Sequence, residues 1–230
     1  MNIDLNDIRR DFVRIDAATV QAASAYASSI LADVAGRRGA MEGRIQALVP
    51  AMRCCGPAFT VEVRPGDNLM IHAAMAMAQP GDVLVIDGKA DRGAALMGSI
   101  MLTACKQLGL AGVVLDASIR DTEELRALGF AVYAVGANPN GPTKNISGRI
   151  NWPISCGGVA VRAGDLVIGD ADGVVVIERE KAESLLALAE QKVADERQRI
   201  ADITSGKAIR PKWLEASLRA AGVLKDGEIL

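Results

Sequence analysis

The sequence predicts an α/β fold with parallel strand pairing, on three observations. First, fully apolar runs inside "PGDVLVIDG" (80–88) and "LAGVVLDA" (110–117) look like strands buried on both faces. Second, each run is followed by a helix pattern: "ALMGSIMLTACKQLG" (95–109), ending at Gly109, and the short "TEELRALG" (122–129). Third, the alternation continues into another strand, "FAVYAVG" (130–136).

The other elements follow in order. "AATVQAASAYASSILADVAG" predicts one helix over about 16–38, stopped at Gly36. "FTVEV" (59–63) alternates as a half-buried strand does. "RPGDNLMIHAAMAMAQ" turns at Pro65-Gly66 and enters a Met/Ala-rich helix, where Met70, Met75 and Met77 read as core fillers rather than a metal or cofactor box. "DGKADRG", with Lys89, Asp91 and Arg92, reads as a solvated loop, with a place on the wall of a site as the lesser alternative. Residues 138–153 hold three prolines and few apolar residues, a long loop of the functional or partner-contacting kind. "GGVAV", "DLVIG" and "GVVVIE" read as short strands in antiparallel or mixed sheet. From 180 to about 205 a long amphipathic helix aligns Ala182, Leu185, Leu186, Ala189, Val193, Ile200 and Ile203 along one stripe, and 211–224 suggests a last short helix. The whole reads as a single domain, 1–230, with a helical N-terminal segment over about 1–40 and a C-terminal helical extension over about 180–225.

Composition narrows the function. Half of the 230 residues are apolar and 23% are charged, which suits a globular chain with a sizeable core. A net charge of −2 lacks the basic footprint of a nucleic-acid binder, and 3% aromatics leave little for base stacking. No apolar run is long enough to span a bilayer, and "MNIDLNDIRRDF" has no apolar signal core, so the expectation is a cytoplasmic protein without a nucleic-acid or membrane partner. The four cysteines and single histidine show no zinc-ligand spacing, and buried thiols are expected.

The candidate chemistry lies in "GSIMLTACKQLG" and "LDASIRDTEEL". Gly98 precedes a helical run whose first-turn N–H groups would face outward and suit a carboxylate or phosphate. The strand ending near 116 is followed by Arg120-Asp121, beyond the strand's C-terminal end, where ligands of open α/β sheets collect. Arg120 suits a bidentate carboxylate clamp, and Asp121 offers hard oxygen to Mg²⁺ or Mn²⁺. The alternative is a plain helix start: Asp121 or Thr122 caps, Glu123 and Glu124 favour the dipole, and Arg120 is solvated. His72 is a candidate base or a structural histidine, and Asp67-Asn68 a turn, a cap or part of a site.

The run "PGDNLMIHAA … PGDVLVIDG … MGSIMLTACKQLGLAGVVLDASIRDTEELRALGFAVYA" resembles the class II pyruvate aldolases acting on 4-hydroxy-4-methyl-2-oxoglutarate and 4-carboxy-4-hydroxy-2-oxoadipate. That fold family also includes the regulators of ribonuclease E activity. The resemblance covers about residues 28–220. Its most specific part is a glycine, a spacer of about twenty residues, then Arg-Asp and an acid, here Gly98, Arg120-Asp121 and Glu124. It implies a swivelling β/β/α domain, RraA-like, with a long C-terminal helix. It also implies a homotrimer or homohexamer with the active site between subunits. The implied chemistry is retro-aldol release of pyruvate, with oxaloacetate decarboxylation through the same enolate. Asp121 would hold Mg²⁺ or Mn²⁺, Glu196 of a neighbouring subunit would support the ion through water, and Arg120 would stabilise the enolate. Backbone groups over Gly98, Ser99, Ile100 and Met101 would hold the pyruvyl carboxylate, and His72 matches a family position in "GDNxMxH". The aldolases carry an acid where this chain has Ser99. That departure keeps two other readings open: a non-catalytic RraA-like regulator that binds a ribonuclease, and an enzyme of the same fold with another 2-oxo-acid substrate.

Overall fold

The computed structural model describes residues 7–49, 51–225 and 227–230. The chain divides into two compact units, Met1–Ala189 and Glu190–Leu230. The first holds a sheet whose centre is parallel. Strands β2 (Cys54–Glu62), β3 (Val83–Met97), β4 (Gly112–Ile119) and β5 (Val132–Ala137) pair in that order, all parallel. Helices α3 (Leu69–Met75), α4 (Ser99–Gln107) and α5 (Thr122–Leu128) make the three crossovers. The two-residue strand β1 (Gln46–Ala47) extends the β5 edge antiparallel, and β6 (Arg149–Ile150) pairs antiparallel with β2. Strands β9 (Leu166–Asp170) and β10 (Gly173–Ile177) continue the sheet antiparallel from the N-terminal half of β2. A separate hairpin joins β7 (Ile154–Cys156) to β8 (Val159–Val161).

Strand alternation explains why the apolar runs are unbroken. Leu84, Ile86, Val113 and Leu115 face a core shared with Met70, Ile71 and Ala74 of α3, Leu102 and Cys105 of α4, and Leu125 of α5. Val83, Val85 and Val114 face the opposite core with Ile154, Cys156 and Val161 of the hairpin. With both faces covered, burial of apolar surface favours branched residues at every position. A third core lies over β9 and β10, where Leu166, Ile168, Val175 and Ile177 meet Leu31, Ala182 and Ala189.

Four sequence expectations are revised. The N-terminal helix is two helices, α1 (Ala17–Ala23) and α2 (Ser28–Val34). The break arises because Ser28 turns its N–H and Oγ to buried Asp170, at 2.7 and 2.6 Å. The 89–92 segment is not a loop between elements. Lys89 and Ala90 take left-handed φ of 61° and 57°, which makes a bulge, and the strand then resumes pairing with β4 at Asp91, Ala95 and Met97. Consequently α4 starts at Ser99 rather than 95: the helix-forming residues 94–97 are held extended by β4, and Ala95 N–H donates to Asn140 O at 2.8 Å. Finally, the apolar stripe of α6 (Ala182–Thr204) is buried only at Ala182 and Ala189; Ile200 and Ile203 are exposed.

Cys54, Cys105 and Cys156 are buried free thiols, and Cys55 is half-buried. Burial pushes Cys54 and Cys105 up to about 12, so they are unreactive protonated thiols at neutral pH. Among the described residues no helix is long and apolar enough to cross a membrane.

Asp67 fixes the 138–148 loop. Its Oδ2 accepts from Thr143 Oγ1 and Asn145 N–H, both at 2.7 Å, and its Oδ1 accepts from Leu69 N–H at 3.0 Å. Burial would raise its pKa, but these hydrogen bonds outweigh it and hold the carboxyl below its usual 3.8. The contribution of such a group is present above the unfolded value and is lost as pH falls through the lowered folded value. Asp67→Asn sets an amide N–H₂ or a single oxygen against three donors. It should cost about 1–3 kcal/mol at neutral pH by urea unfolding. The gap from the parent chain should close as the pH drops below 3.8.

Candidate functional site

At the C-terminal ends of β3 and β4 lies a cleft of about 160 Å³. Its walls come from four chain segments: Asn68 at the N-cap of α3 with His72 on that helix, Ala95–Gly98 with Ile100 and Met101 across the β3–α4 junction, Arg120-Asp121 after β4, and Pro142 and Lys144 of the loop. The loop lies over Arg120, since a Cβ on Gly141 would stand 3.1 Å from Arg120 Nη1.

The cleft is organised around Asp121. This residue sits at the N-cap of α5 with left-handed φ 61° and ψ 44°, a conformation costing a non-glycine residue about 1–2 kcal/mol. Its side chain makes no cap bond to α5, which removes the plain helix-cap reading of Asp121. The carboxylate turns instead to α4, where Oδ2 accepts from Ser99 N–H at 2.9 Å and Ser99 Oγ at 3.1 Å. Arg120 Nε lies 3.8 Å from the same oxygen, with the side chains 44% and 32% exposed. Neighbouring residues usually diverge; the left-handed turn brings this cation and anion to one place. Asp121 lines the cleft, and its Oδ1 accepts no hydrogen bond from the described residues.

Gly98 makes this approach possible. It caps α4 with an extended φ of −148°, so its value here is space rather than backbone freedom. A Cβ at 98 would lie 2.4 Å from Asp121 Oδ2 and 3.0 Å from Arg120 Cγ. Beyond it, the N–H groups of Ile100 and Met101 in the first turn of α4 have no intrahelical acceptor and carry the positive end of the helix dipole. The Ser99 N–H, expected among the carboxylate donors, is committed to Asp121.

The remaining candidates divide. His72 lines the cleft, and partial desolvation followed by the charge of Lys144 lowers its pKa below the usual 6.5, favouring the neutral ring at neutral pH. Asn68 is 3% exposed; its Nδ2 donates to Leu96 O at 2.8 Å and Met101 Sδ at 3.4 Å, while its buried Oδ1 has no partner. Exchanging amide oxygen and nitrogen would oppose two acceptors at Leu96 O, so this orientation is fixed. An unsatisfied buried acceptor costs about 1–3 kcal/mol. Asp67 anchors the loop and is not on the cleft wall. Lys89 is tied to Asp87 and Glu62 at 2.5 and 3.0 Å. Glu196 lies on the part of α6 in the second unit, paired with Lys192 at 3.0 Å. Asp116, the carboxylate of the apolar β4 run, points to the other face, where Arg44 Nε and Nη2 hold it at 3.1 and 2.9 Å.

A profile of RraA-like proteins, described as Aldolase/RraA, matches residues 15–176. The chain belongs to the RraA-like family. A Halalkalibacterium halodurans protein, provisionally named 4-hydroxy-4-methyl-2-oxoglutarate aldolase, is 48% identical over 144 residues, 63% of this chain and 69% of that protein. Streptomyces coelicolor RraAS2, described as an unusual member of the RNase ES inhibitor RraA family, superposes with a TM-score of 0.74 at 27% identity, over 82% of this chain and 99% of that one. An uncharacterised Pseudomonas syringae protein reaches 0.76 at 22% identity, over 86% and 97%, and shares the fold.

Within this RraA-like chain, the contributions of Leu96, Pro142 and Lys144 escaped the sequence reading. Leu96 was hidden by the bulged strand. Lys144 had one available signal, a cation in a proline-rich loop, but no spacing ties it to Arg120.

Two outcomes test the geometry. Gly98→Ala should displace Asp121, cost about 1–3 kcal/mol in thermal or urea unfolding, and reduce any Asp121-dependent activity to background. By proton NMR, His72 should titrate below 6.5, and Lys144→Ala should raise that value.

Proposed function

We propose that the chain is a divalent-metal-dependent lyase that cleaves 4-hydroxy-2-oxo acids, diacids included, to pyruvate and also decarboxylates oxaloacetate. The observation that carries this is the convergence of Arg120, Asp121 and the N-terminus of α4 on one cleft, made possible by Gly98. The aldolase name of the 48% identical relative supports it.

The donor set suits a hard, hydrated ion. Among the described residues no three His, Cys, Asp or Glu side chains converge, which is unlike a zinc site. Mg²⁺ and Mn²⁺ accept one carboxylate together with substrate oxygens and water, and Asp121 Oδ1 is free for that purpose. When bound, such an ion supplies Lewis-acid polarisation of the 2-oxo group. Two hydrogen bonds from Ser99 hold the Asp121 carboxylate in place. The Ile100 and Met101 N–H groups receive the C1 carboxylate. Arg120, hydrogen-bonding at the C2 oxygen, stabilises the negative charge that develops there as the C3–C4 bond breaks. Decarboxylation of oxaloacetate yields the same enolate and requires the same stabilisation.

We further infer a homo-oligomer, trimer or hexamer, in which Glu196 of one subunit serves the site of another. The exposed apolar residues Ile200, Ile203, Ile209 and Trp213 of the second unit support an interface there. A second reading, a non-catalytic regulator that binds a ribonuclease, is favoured by one observation: Ser99 contributes no charge beside Asp121. A third keeps the enolate chemistry with a different 2-oxo acid, selected by the loop over Arg120.

Pyruvate release from oxaloacetate and from 4-hydroxy-4-methyl-2-oxoglutarate separates these readings. With Mn²⁺ or Mg²⁺ turnover is expected, and EDTA or Asp121→Ala should each lower it by about a hundredfold or more. Turnover that survives both would sink the assigned mechanism, and no turnover with ribonuclease capture would favour the regulator.

A further inference from the structure

Two cations line the cleft, Arg120 and Lys144, and only Arg120 has a part in the chemistry proposed above. Lys144 is otherwise unspent. Lys89, Lys181 and Lys192 pair with carboxylates, and Lys106 donates to Leu128 O. Lys144 is exposed and makes no ion pair or hydrogen bond to any described residue. A lysine on a loop would mean little by itself, but the backbone on both sides of this one is pinned. Thr143 Oγ1 and Asn145 N–H both donate to Asp67 at 2.7 Å. Thr143 N–H donates to Gly66 O at 2.8 Å, and Thr143 O accepts from Asn68 N–H at 3.0 Å. Asp67 is 1% exposed, so the anchor of this loop is in the core. The positive charge is also felt on the cleft wall, where it helps to lower the pKa of His72. Water and salt screen distant charges, so the ammonium lies near the wall that His72 forms.

The groups already assigned all serve the half of the substrate that every 2-oxo acid shares. Ile100 and Met101 N–H take the C1 carboxylate, and Arg120 takes the C2 oxygen. A 4-hydroxy-2-oxo diacid brings a second carboxylate, at C5, and a charge moved out of water needs a partner. The Asn68 amide N–H group is spent on Leu96 O and Met101 Sδ, and His72 is favoured neutral. The cation that remains is Lys144. We propose that Lys144 pairs with the C5 carboxylate of the substrate and so determines the preference of the cleft for diacids over monoacids.

The proposal deepens the lyase reading above and rests on it. The C5 carboxylate takes no part in the bond that breaks, and it keeps its charge from substrate to product. Lys144 therefore stabilises bound substrate and transition state alike, so its loss should appear in KM rather than in kcat.

The test is kcat and KM, measured on the full chain with Mn²⁺, for two acids that differ in one group. One is 4-hydroxy-4-methyl-2-oxoglutarate. The other is 4-hydroxy-2-oxopentanoate, which has a hydrogen in place of the C5 carboxylate. Lys144→Met keeps a long side chain and removes the charge. It should lower the diacid-to-monoacid ratio of kcat/KM by about tenfold, mainly through a higher KM for the diacid. Lys144→Arg keeps a cation and should hold the ratio within about threefold of the parent. Lys144→Glu sets like charges together and should lower the ratio further. Equal losses on both acids would place Lys144 at the shared pyruvyl end and overturn the proposal. A diacid loss carried by kcat alone would overturn it too. Where the parent cleaves only the diacid, the decision falls to the KM rise in Lys144→Met and its absence in Lys144→Arg. A parent chain that cleaves neither acid overturns the lyase reading and this inference with it, whereas an active parent with an unmoved ratio overturns the inference alone.

Discussion

The contact between Asp121 and Ser99 is the constraint on which the rest of the cleft depends. It closes the ends of two strand–helix crossovers onto each other, joining the start of α4 to the start of α5. The left-handed backbone at Asp121 is unfavourable by itself and is held by this pair of hydrogen bonds together with the β3–β4 pairing just before it, where Arg120 N–H donates to Met97 O at 3.0 Å. Remove the contact and nothing directs the carboxylate toward Arg120.

The strand pairing sets how accurately this can be done. Three register shifts between β3 and β4 let β3 travel further than β4 before both reach the cleft. That slack places Gly98 opposite Asp121, 23 residues further along the chain. The other carboxylate of β4, Asp116, faces the hairpin side with Arg44, where its ion pair is structural. One strand therefore supplies an anchor to one face and, just past its end, a cleft-lining acid to the other.

Much of this was legible in the sequence. The apolar runs of β3 and β4 and the helix patterns after them encode the parallel core, because burial on both faces leaves little choice of residue. Gly98 and Arg120-Asp121 were singled out by the resemblance, since spacing alone left a plain capped helix start open. The start of α4 was not, because Ala94–Met97 favour helix locally and only pairing with β4 holds them extended. The break between α1 and α2 depends on Asp170, 142 residues away in sequence from Ser28. The unpaired oxygen of Asn68 was also invisible, since it is defined by what its Nδ2 already binds.

Gly98 and Ser99 differ in what they permit. Position 98 admits no side chain at all, because even a methyl group meets the carboxylate opposite. Position 99 is only half-buried and sits against the same carboxylate through its own side chain. One residue fixes the architecture of the cleft while its neighbour sets how much negative charge gathers there. A substitution at 99 can thus alter the charge of the cleft, one residue from a position that cannot change, without disturbing the frame that holds Arg120 and Asp121 together.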